Sequence, residues 1–472
     1  MSIVKIFEGR EGHISCKGED AGPLACNSES LAGAVSQRAC VYSGARVVLN
    51  PITDALHLVH GPIGCASYTW DIRGSTSSGP DLYRSSFSTD MKELDVVFGG
   101  EKKLAACLHE LAEEYHPPAI FVYSTCIVGI IGDDLSSVCR KASRDLGIPV
   151  LPVKSEGFRG NKNEGYKAAC NALAALIGSA NYGPKGPSIN ILGEYNVADD
   201  LSYVKPFFQE MGIEVVATLT GDARVREIQR AHAAHLNLVQ CSGSMTYLAK
   251  KMEEKYGTPY KRVSFFGVED MSNALRTAAD FFALPQMRER AEQVIHREKS
   301  RVMPFLQACR DSVAGRKAAI YMGGAAKAVS LVRAFQDLGM EVVIIGTQTG
   351  SRDDYQNIAY IVKDGTVIID DANPRELSQL LVRQKADLLV AGVKERFLAY
   401  KMKIAFCDFN HDRTVNFEGY EGIMNFAREV STSINSPVWQ LPLNRASGIV
   451  KRIGLESLKE VSSSDISESC HS

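Results

Sequence analysis

The feature that most constrains the fold is a repeated succession of a short β-rich run, a few small or turn residues, and a helical stretch. Candidate strands of this kind lie at residues 119–123, 189–193, 214–219, 236–240, 318–322, 341–346 and 387–391. Candidate helices lie between them, at residues 102–115, 224–234, 244–256 and 326–338. Strands that alternate with helices are typical of βαβ units and parallel sheets. We therefore expect an α/β fold with several doubly wound domains.

Two stretches of the chain have the composition of domain boundaries. A break rich in Gly and Pro at residues 181–187 precedes one predicted strand, and a charged helix at residues 287–301 leads toward another. We place boundaries near 185 and 316. The expected parts are three α/β domains, the first carrying Cys40, Cys65 and Cys126 and the second Cys241, followed by a Ser-rich flexible tail, at residues 1–185, 186–316, 317–454 and 455–472.

The charge balance and the hydropathy pattern exclude several classes of protein. The 53 Lys and Arg residues and the 55 Asp and Glu residues give a net charge of −2. A nucleic-acid binder needs a basic surface, so we expect no nucleic acid partner. Because the chain has neither an apolar run of about 18 residues nor the pattern of a signal peptide, we expect a cytoplasmic protein without a membrane partner.

Two cysteines and a glycine pair follow predicted strands. Cys126 comes after the strand at 119–123, Cys241 after the strand at 236–240, and Gly323 with Gly324 after the strand at 318–322. Ligands of open α/β sheets bind beyond the carboxyl ends of the strands. Residues 242–244 then open a helix whose free N–H groups favour an anion, such as an iron–sulfur cluster. A buried cysteine beside a strand-to-helix turn explains the same pattern, and both interpretations stay open.

Cys65 ends the motif HGPIGC at residues 60–65, and Cys40 precedes another small-residue segment. Gly and Pro let a backbone turn tightly and approach another group closely, which suits a recessed cluster ligand and an ordinary turn equally. A four-iron cubane usually takes four cysteines. If Cys40, Cys65 and Cys126 are ligands, the fourth ligand comes from elsewhere, such as a partner chain. For His57 and His60 we expect packing or turn roles.

Several longer motifs resemble the nitrogenase component 1 superfamily. They are PITDALHLVHGPIGC, STC, GDD, CSGSM and MEEKYGTP, at residues 51–65, 124–126, 132–134, 241–245 and 252–259. Other motifs resemble the branch of that superfamily on which the iron–molybdenum cofactor is assembled: YTWDIRG, GEYN and TGDAR, at residues 68–74, 193–196 and 220–224. Because the motifs run from about residue 40 to residue 439, the resemblance covers most of the chain.

This resemblance implies three Rossmann-like domains, with cluster sites at strand ends and domain interfaces, in an α2β2 heterotetramer with a homologous NifN-like subunit. It implies that Cys40, Cys65 and Cys126 hold a [4Fe–4S] cluster that is shared with the partner, which supplies the fourth ligand. Cys241 would hold the iron–sulfur precursor of the iron–molybdenum cofactor. The implied further partners are NifB or a carrier that delivers the precursor, the nitrogenase iron protein, and apo-nitrogenase as acceptor. Molybdenum and homocitrate would be bound transiently.

Two positions distinguish a scaffold of this superfamily from its catalytic subunit. The catalytic subunit carries a histidine after the motif EGFRG, where this chain reads NKNEGY at residues 161–166. It carries another histidine before the motif GYEG, where Asn410 matches the asparagine of the scaffold. A carboxamide is a poorer metal ligand than imidazole, and a scaffold must release its product. His411 could supply this ligand after a shift of one residue. By the same resemblance the precursor site includes Arg73, Gly323, Gly324, Lys327 and Lys394.

The leading interpretation is thus a cofactor-assembly scaffold rather than a stand-alone enzyme. Three alternatives stay open: the counterpart scaffold of a vanadium system, a catalytic reductase subunit of the nitrogenase or protochlorophyllide reductase type, and an interaction subunit that has lost its clusters. Cys16 and Cys26 precede all the motifs, and we expect them to be disordered or auxiliary rather than cluster ligands.

Overall fold

The computed structural model describes residues 10–19, 24–26, 39–67, 85–181, 183–184, 186–410 and 412–440. The described residues up to Ile434 belong to one compact unit. Of the unit that begins at Asn435, the described part contains the short 3-10 helix Pro437–Gln440. The predicted flexible tail at residues 455–472 lies outside the described residues.

The strands of the described residues are β1 Ile14–Cys16, β2 Leu56–His60, β3 Ser86–Ser88, β4 Ile120–Ser124, β5 Val150–Val153, β6 Ser188–Leu192, β7 Glu214–Leu219, β8 Leu236–Val239, β9 Tyr260–Arg262, β10 Lys317–Met322, β11 Glu341–Thr347, β12 Val367–Asp370, β13 Leu388–Ala391 and β14 Ala405–Asp408. The helices are Val41–Leu49, Ile63–Ser67, Glu93–Phe98, Glu101–Tyr115, Cys126–Ile131, Leu135–Leu146, Lys162–Leu176, Lys205–Glu210, Val225–Arg230, Ser242–Tyr256, Val268–Phe282, Pro285–Val313, Ala326–Asp337, Arg352–Ile361, Pro374–Gln384, Val393–Lys401 and Gly419–Ile434.

These strands form three sheets. The first has the order β3-β2-β4-β5 and the second β7-β6-β8-β9, and every pair in both is parallel. The third has the order β1-β12-β11-β10-β13-β14 and is parallel except for β1. Strands β2, β4 and β6 are buried at every residue, as expected where helices cover both faces of a parallel sheet. The predicted α/β class with parallel sheets is confirmed.

The first strand belongs to the third sheet and not to the sheet formed by the strands that come next in sequence. Strand β1 pairs antiparallel with β12, so a segment near the N-terminus completes the third sheet. Cys16 is therefore a buried strand residue rather than part of a disordered arm. Strands β6 and β10 begin just beyond the boundaries that we expected near 185 and 316.

Most of the helices cover the sheets, and one is much longer than the others. Helix Pro285–Val313 contains 29 residues and packs against Val268–Phe282 and Gly419–Ile434. It is strongly charged on its outer side. Within the described ranges, no helix is both long and apolar enough to cross a membrane.

Candidate cluster-binding sites

The carboxyl ends of β2 and β4 bring the HGP and STC motifs into contact. Thr125 donates a hydrogen bond from its hydroxyl to the carbonyl of His60 at 3.0 Å. A Cβ atom at Gly61 would lie only 2.2 Å from the Thr125 hydroxyl oxygen, so this close approach requires glycine. The contact positions two short helices, Ile63–Ser67 with Cys65 and Cys126–Ile131 with Cys126, at the same edge of the sheet.

Three of the predicted ligands meet at this edge. Burial, and then the neighbouring sulfurs of Cys126 and Cys40, raise the pKa of the Cys65 thiol. Gly157 lies between the other two cysteines, because a Cβ atom there would be 3.0 Å from the Cys126 sulfur and 3.9 Å from the Cys40 sulfur. The Gly157 N–H donates to the Cys126 sulfur at 3.2 Å. Cys40 and Cys126 are exposed and Cys65 is partly buried.

This donor set fits a cluster rather than a single ion. In the described part of the chain, no three His, Cys, Asp or Glu side chains are grouped closely enough to hold one metal ion. A four-iron cubane binds each cysteine through a different iron, so its ligands stand farther apart than those of one ion. The two exposed thiols of Cys40 and Cys126 beside the bare backbone of Gly157, with the Cys65 thiol within electrostatic range of both, suit a cubane whose fourth ligand comes from another chain.

Large exposed apolar side chains lie on elements that carry or neighbour these cysteines. Helix Glu93–Phe98 packs beside Cys126–Ile131 and exposes 82% of Phe98. Ile130 and Phe158, which flank Gly129, are exposed as well. A concentration of exposed apolar groups marks an interaction surface more often than free surface.

The two histidines of this region are structural, as we expected. His57 binds the Tyr123 hydroxyl at 2.8 Å and the Ile52 carbonyl at 3.1 Å, and burial lowers its pKa to about 3. His60 lies 3.2 Å from a carboxylate oxygen of Asp133 and 3.0 Å from the Thr89 hydroxyl. The GDD motif thus supplies a carboxylate that holds the HGP turn in place.

The second predicted site lies at the end of β8, where Cys241 precedes helix Ser242–Tyr256. Gly193, directly after β6, has φ +84°, and a Cβ atom there would lie 2.7 Å from the Cys241 Cβ and 2.8 Å from its amide nitrogen. The first glycine of the GEYN motif therefore leaves the space in which the cysteine sits.

Several groups near Cys241 were not predicted as site residues. Burial lowers the pKa of Lys162 to about 8, an effect that Cys241 opposes and that the second cation, Lys394, reinforces. Tyr166 also lies within electrostatic range of Cys241, and Tyr195 donates to the Ser244 hydroxyl at 2.5 Å. Lys162 could have been predicted as a site residue from the sequence. It stands in the NKNEGY segment, where the catalytic subunit carries a histidine.

A cavity of about 1020 Å³ connects the surroundings of the two cysteine sites. Its walls include Cys40, the segment at residues 157–161, and the helix start at residues 242–244. The segment between β11 and helix Arg352–Ile361 contributes Thr349 and Ser351. Among the described residues that line this cavity, none is a histidine.

The remaining predicted residues that the structure describes follow strands β10, β13 and β14 of the third sheet. The Gly323 carbonyl accepts a hydrogen bond from the Thr349 hydroxyl at 2.7 Å, and Gly324 is exposed beside it. Lys394 is exposed near the start of helix Val393–Lys401. A Cβ atom at Gly392 would lie 2.9 Å from the Asn410 amide nitrogen, so Asn410 packs at the base of the same helix. The predicted residues Arg73 and His411 lie outside the described residues.

Comparison with known proteins agrees with this geometry. The family model described as nitrogenase component 1 type oxidoreductase matches residues 40–435. The chain belongs to this family. The resemblance that we drew from the motifs is thereby confirmed.

Two relatives of this chain have the name nitrogenase iron-molybdenum cofactor biosynthesis protein NifE. The one from Methanosarcina barkeri is 62% identical over 453 residues, which cover 93% of this chain and 98% of the relative. The one from Clostridium pasteurianum is 56% identical over 441 residues, which cover 92% and 97%. The solved structure named Nitrogenase Cp1 at pH 6.5 matches with a TM-score of 0.86 at 33% identity, over 93% of this chain and 97% of that chain.

In this member of the nitrogenase component 1 family, Lys327 contacts carboxylates. Its ammonium group forms an ion pair with Glu418 and lies 3.7 Å from Glu194. Burial alone would lower the pKa of Lys327, but Glu418 and Glu194 hold it above its ordinary value. Arg413 and Asp200 form a second buried ion pair beside them. This group of charged side chains joins the loop after β6 to the third sheet. A contact between Lys327 and a bound precursor stays a prediction.

Proposed function

We propose that this chain is one subunit of a scaffold on which an iron–sulfur precursor is matured into the iron–molybdenum cofactor of nitrogenase. The observation that carries the proposal is that Lys162 lies within electrostatic range of both the Cys241 thiol and Lys394. By the resemblance, the amide of Asn410 stands where the catalytic subunit of the family has imidazole. The relatives with the NifE name, similar over nearly their whole length, support the same assignment. The chain then assembles a cofactor rather than acting as a stand-alone enzyme.

The precursor is the cargo of the Cys241 site. The Cys241 thiolate binds an iron at one end, and the ammonium groups of Lys162 and Lys394 offset the negative charge of the sulfides and of homocitrate. Asn410 offers only a weak ligand to the other end, where molybdenum enters, which favours release of the product. Gly323 and Gly324 have no side chains, so their backbone can approach a large cluster closely. Arg73, Lys327 and His411 are the further proposed contacts.

The interface cluster is the resident cofactor. Cys40, Cys65 and Cys126 supply three thiolates to a [4Fe–4S] cluster, and a NifN-like homologous subunit supplies the fourth ligand. The exposed apolar side chains around these cysteines support a partner that covers them in an α2β2 heterotetramer.

The remaining proposed partners are those that the resemblance implies. NifB or a carrier delivers the precursor, the nitrogenase iron protein takes part when molybdenum and homocitrate are installed, and apo-nitrogenase receives the product. All of these steps are proposed for the cytoplasm.

The experiment that tests the Cys241 site is loading of the heterotetramer with precursor, followed by iron quantitation after gel filtration. In Cys241→Ala the iron of the interface cluster should remain while the iron of the precursor falls to a small fraction of the parent value. The matched control is Cys309→Ala, since Cys309 lies in helix Pro285–Val313 and should not affect loading. Equal loading of the parent and Cys241→Ala would contradict the proposed role of this cysteine.

A further inference from the structure

Arg46 is a buried cation packed against the first sheet, and it has no anionic partner among the described residues. Arg46 has a relative exposure of 0%, and it lies in helix Val41–Leu49. Its Nη2 donates to the Ser86 hydroxyl at 2.8 Å, whereas Nε and Nη1 have no hydrogen-bond partner among the described residues. No carboxylate pairs with Arg46 in the part of the chain that the structure describes.

A buried charge is normally paired, because removing it from water is costly. The groups around Arg46 do not provide the missing charge. Its guanidinium carbon lies 4.9 Å from the centroid of the Tyr123 ring, a neutral phenol whose pKa burial raises far above its ordinary value. His57, which is hydrogen-bonded to the Tyr123 hydroxyl, is also neutral, because burial and then Arg46 lower its pKa to about 3.

The nearest anionic group that the proposed function supplies is the interface cluster. Cys40 stands directly before helix Val41–Leu49. At 1.5 Å per residue, Arg46 lies about 9 Å along the helix axis from that cysteine. Tyr123, under the guanidinium, is the fourth residue of β4, and Cys126 follows the end of that strand. Little water can screen a charge in this interior.

We propose that Arg46 is the buried counter-charge of the interface cluster and raises its reduction potential. This inference rests on the proposed assignment of Cys40, Cys65 and Cys126 as ligands. When the cluster takes one electron from a reductant, its negative charge increases and no covalent bond is made or broken. A fixed positive charge nearby stabilises the reduced form, and net charge is among the factors that set the potentials of such clusters.

The size of the expected shift in the reduction potential follows from the distance between Arg46 and the cluster. For two unit charges about 10 Å apart at an effective dielectric constant of about 20, the ratio of reduced to oxidised cluster changes about tenfold. A tenfold ratio corresponds to about 59 mV for one electron.

The test is a dithionite titration of the whole heterotetramer, with the EPR signal of the reduced cubane followed against potential. Arg46→Met should lower the midpoint potential by about 59 mV. Arg46→Lys keeps the charge, so its midpoint potential should stay near that of the parent protein. Ser86→Asp leaves Arg46 in place and neutralises it, so it should also lower the potential. Ser86→Asp therefore tests the effect of the Arg46 charge even if Arg46→Met does not fold. Lys102→Met, at an exposed residue of helix Glu101–Tyr115, should leave the potential unchanged.

Unchanged midpoint potentials in Ser86→Asp and Arg46→Met, with the cubane signal present, would overturn the inference and leave the cluster assignment standing. An equal shift in Arg46→Lys and Arg46→Met would also overturn it, because packing rather than charge would then be responsible. Absence of the cubane signal from the parent protein would refute the cluster assignment and the inference together.

Discussion

Replacing Gly193 by alanine tests whether the backbone after β6 holds Cys241 in position. The glycine has φ +84°, and the new Cβ atom would lie 2.7 Å from the Cys241 Cβ and 3.1 Å from its Cα. The neighbours are the backbone and first side-chain atom of the cysteine, which cannot rotate away. The steric overlap can therefore be relieved only if Cys241 or the loop after β6 moves.

Two costs add in this variant. An alanine in the left-handed region costs about 1–2 kcal/mol. Forcing a methyl group into a filled space costs about 1–3 kcal/mol more. Gly257 isolates the first cost, because it has φ +71° at the end of helix Ser242–Tyr256 and a Cβ atom there would meet nothing within 4 Å. The difference between Gly193→Ala and Gly257→Ala thus measures the contact with Cys241.

The assay is equilibrium binding of the precursor to the anaerobic heterotetramer. If the displaced cysteine must return to its place for binding, a contact cost of about 1.4 kcal/mol weakens the affinity about tenfold. We expect that loss in Gly193→Ala and less than a twofold change in Gly257→Ala. Equal affinities of the two variants would refute the argument that Gly193 positions Cys241.

Three further predictions concern the interface cluster and the buried charges. Cys65→Ala should abolish the EPR signal of the interface cubane while circular dichroism stays unchanged, and a normal cubane signal would exclude Cys65 as a ligand. Lys327→Met should destabilise the protein to urea by about 3 kcal/mol, because it leaves Glu418 buried without its counter-charge, and Lys327→Met/Glu418→Gln should recover part of the loss. Because burial raises the pKa of Glu194 to about 7, from 4.5, the folded state binds this proton more tightly than the unfolded chain. The contribution of Glu194 to stability should therefore fall as the pH rises from 4.5 to 7, and Glu194→Gln should remove that slope in urea titrations.

The alternation of strands and helices was enough to predict the fold class. The predicted helix at 326–338 corresponds to Ala326–Asp337, and the strand at 119–123 corresponds to Ile120–Ser124. Strand β2 was missed because its sequence, LHLVH, contains two histidines that are buried only through partners such as Tyr123 and Asp133. Its burial depends on tertiary contacts that no local pattern reveals.

The candidate sites were predicted in part. The motifs indicated Cys40, Cys65 and Cys126 as a set, and the structure brings their thiols to one edge of the first sheet. The proximity of Lys162 to Lys394 could not be predicted, because the two lysines lie in different predicted domains and meet only through packing.

The partners of Lys327 could not be predicted for the same reason. Glu194 follows β6 and Glu418 precedes helix Gly419–Ile434, so nothing near Lys327 in sequence shows that two buried carboxylates surround its ammonium group.

The measurement that most directly tests the scaffold function is transfer of the bound cluster. The heterotetramer loaded with precursor is incubated anaerobically with molybdenum, homocitrate and the nitrogenase iron protein, then mixed with cofactor-free nitrogenase. The account predicts that the acceptor gains substrate-reducing activity and that the donor loses the corresponding iron. A loaded protein that activates no acceptor, yet reduces acetylene by itself at an appreciable turnover, would contradict the account and place this chain among the catalytic subunits.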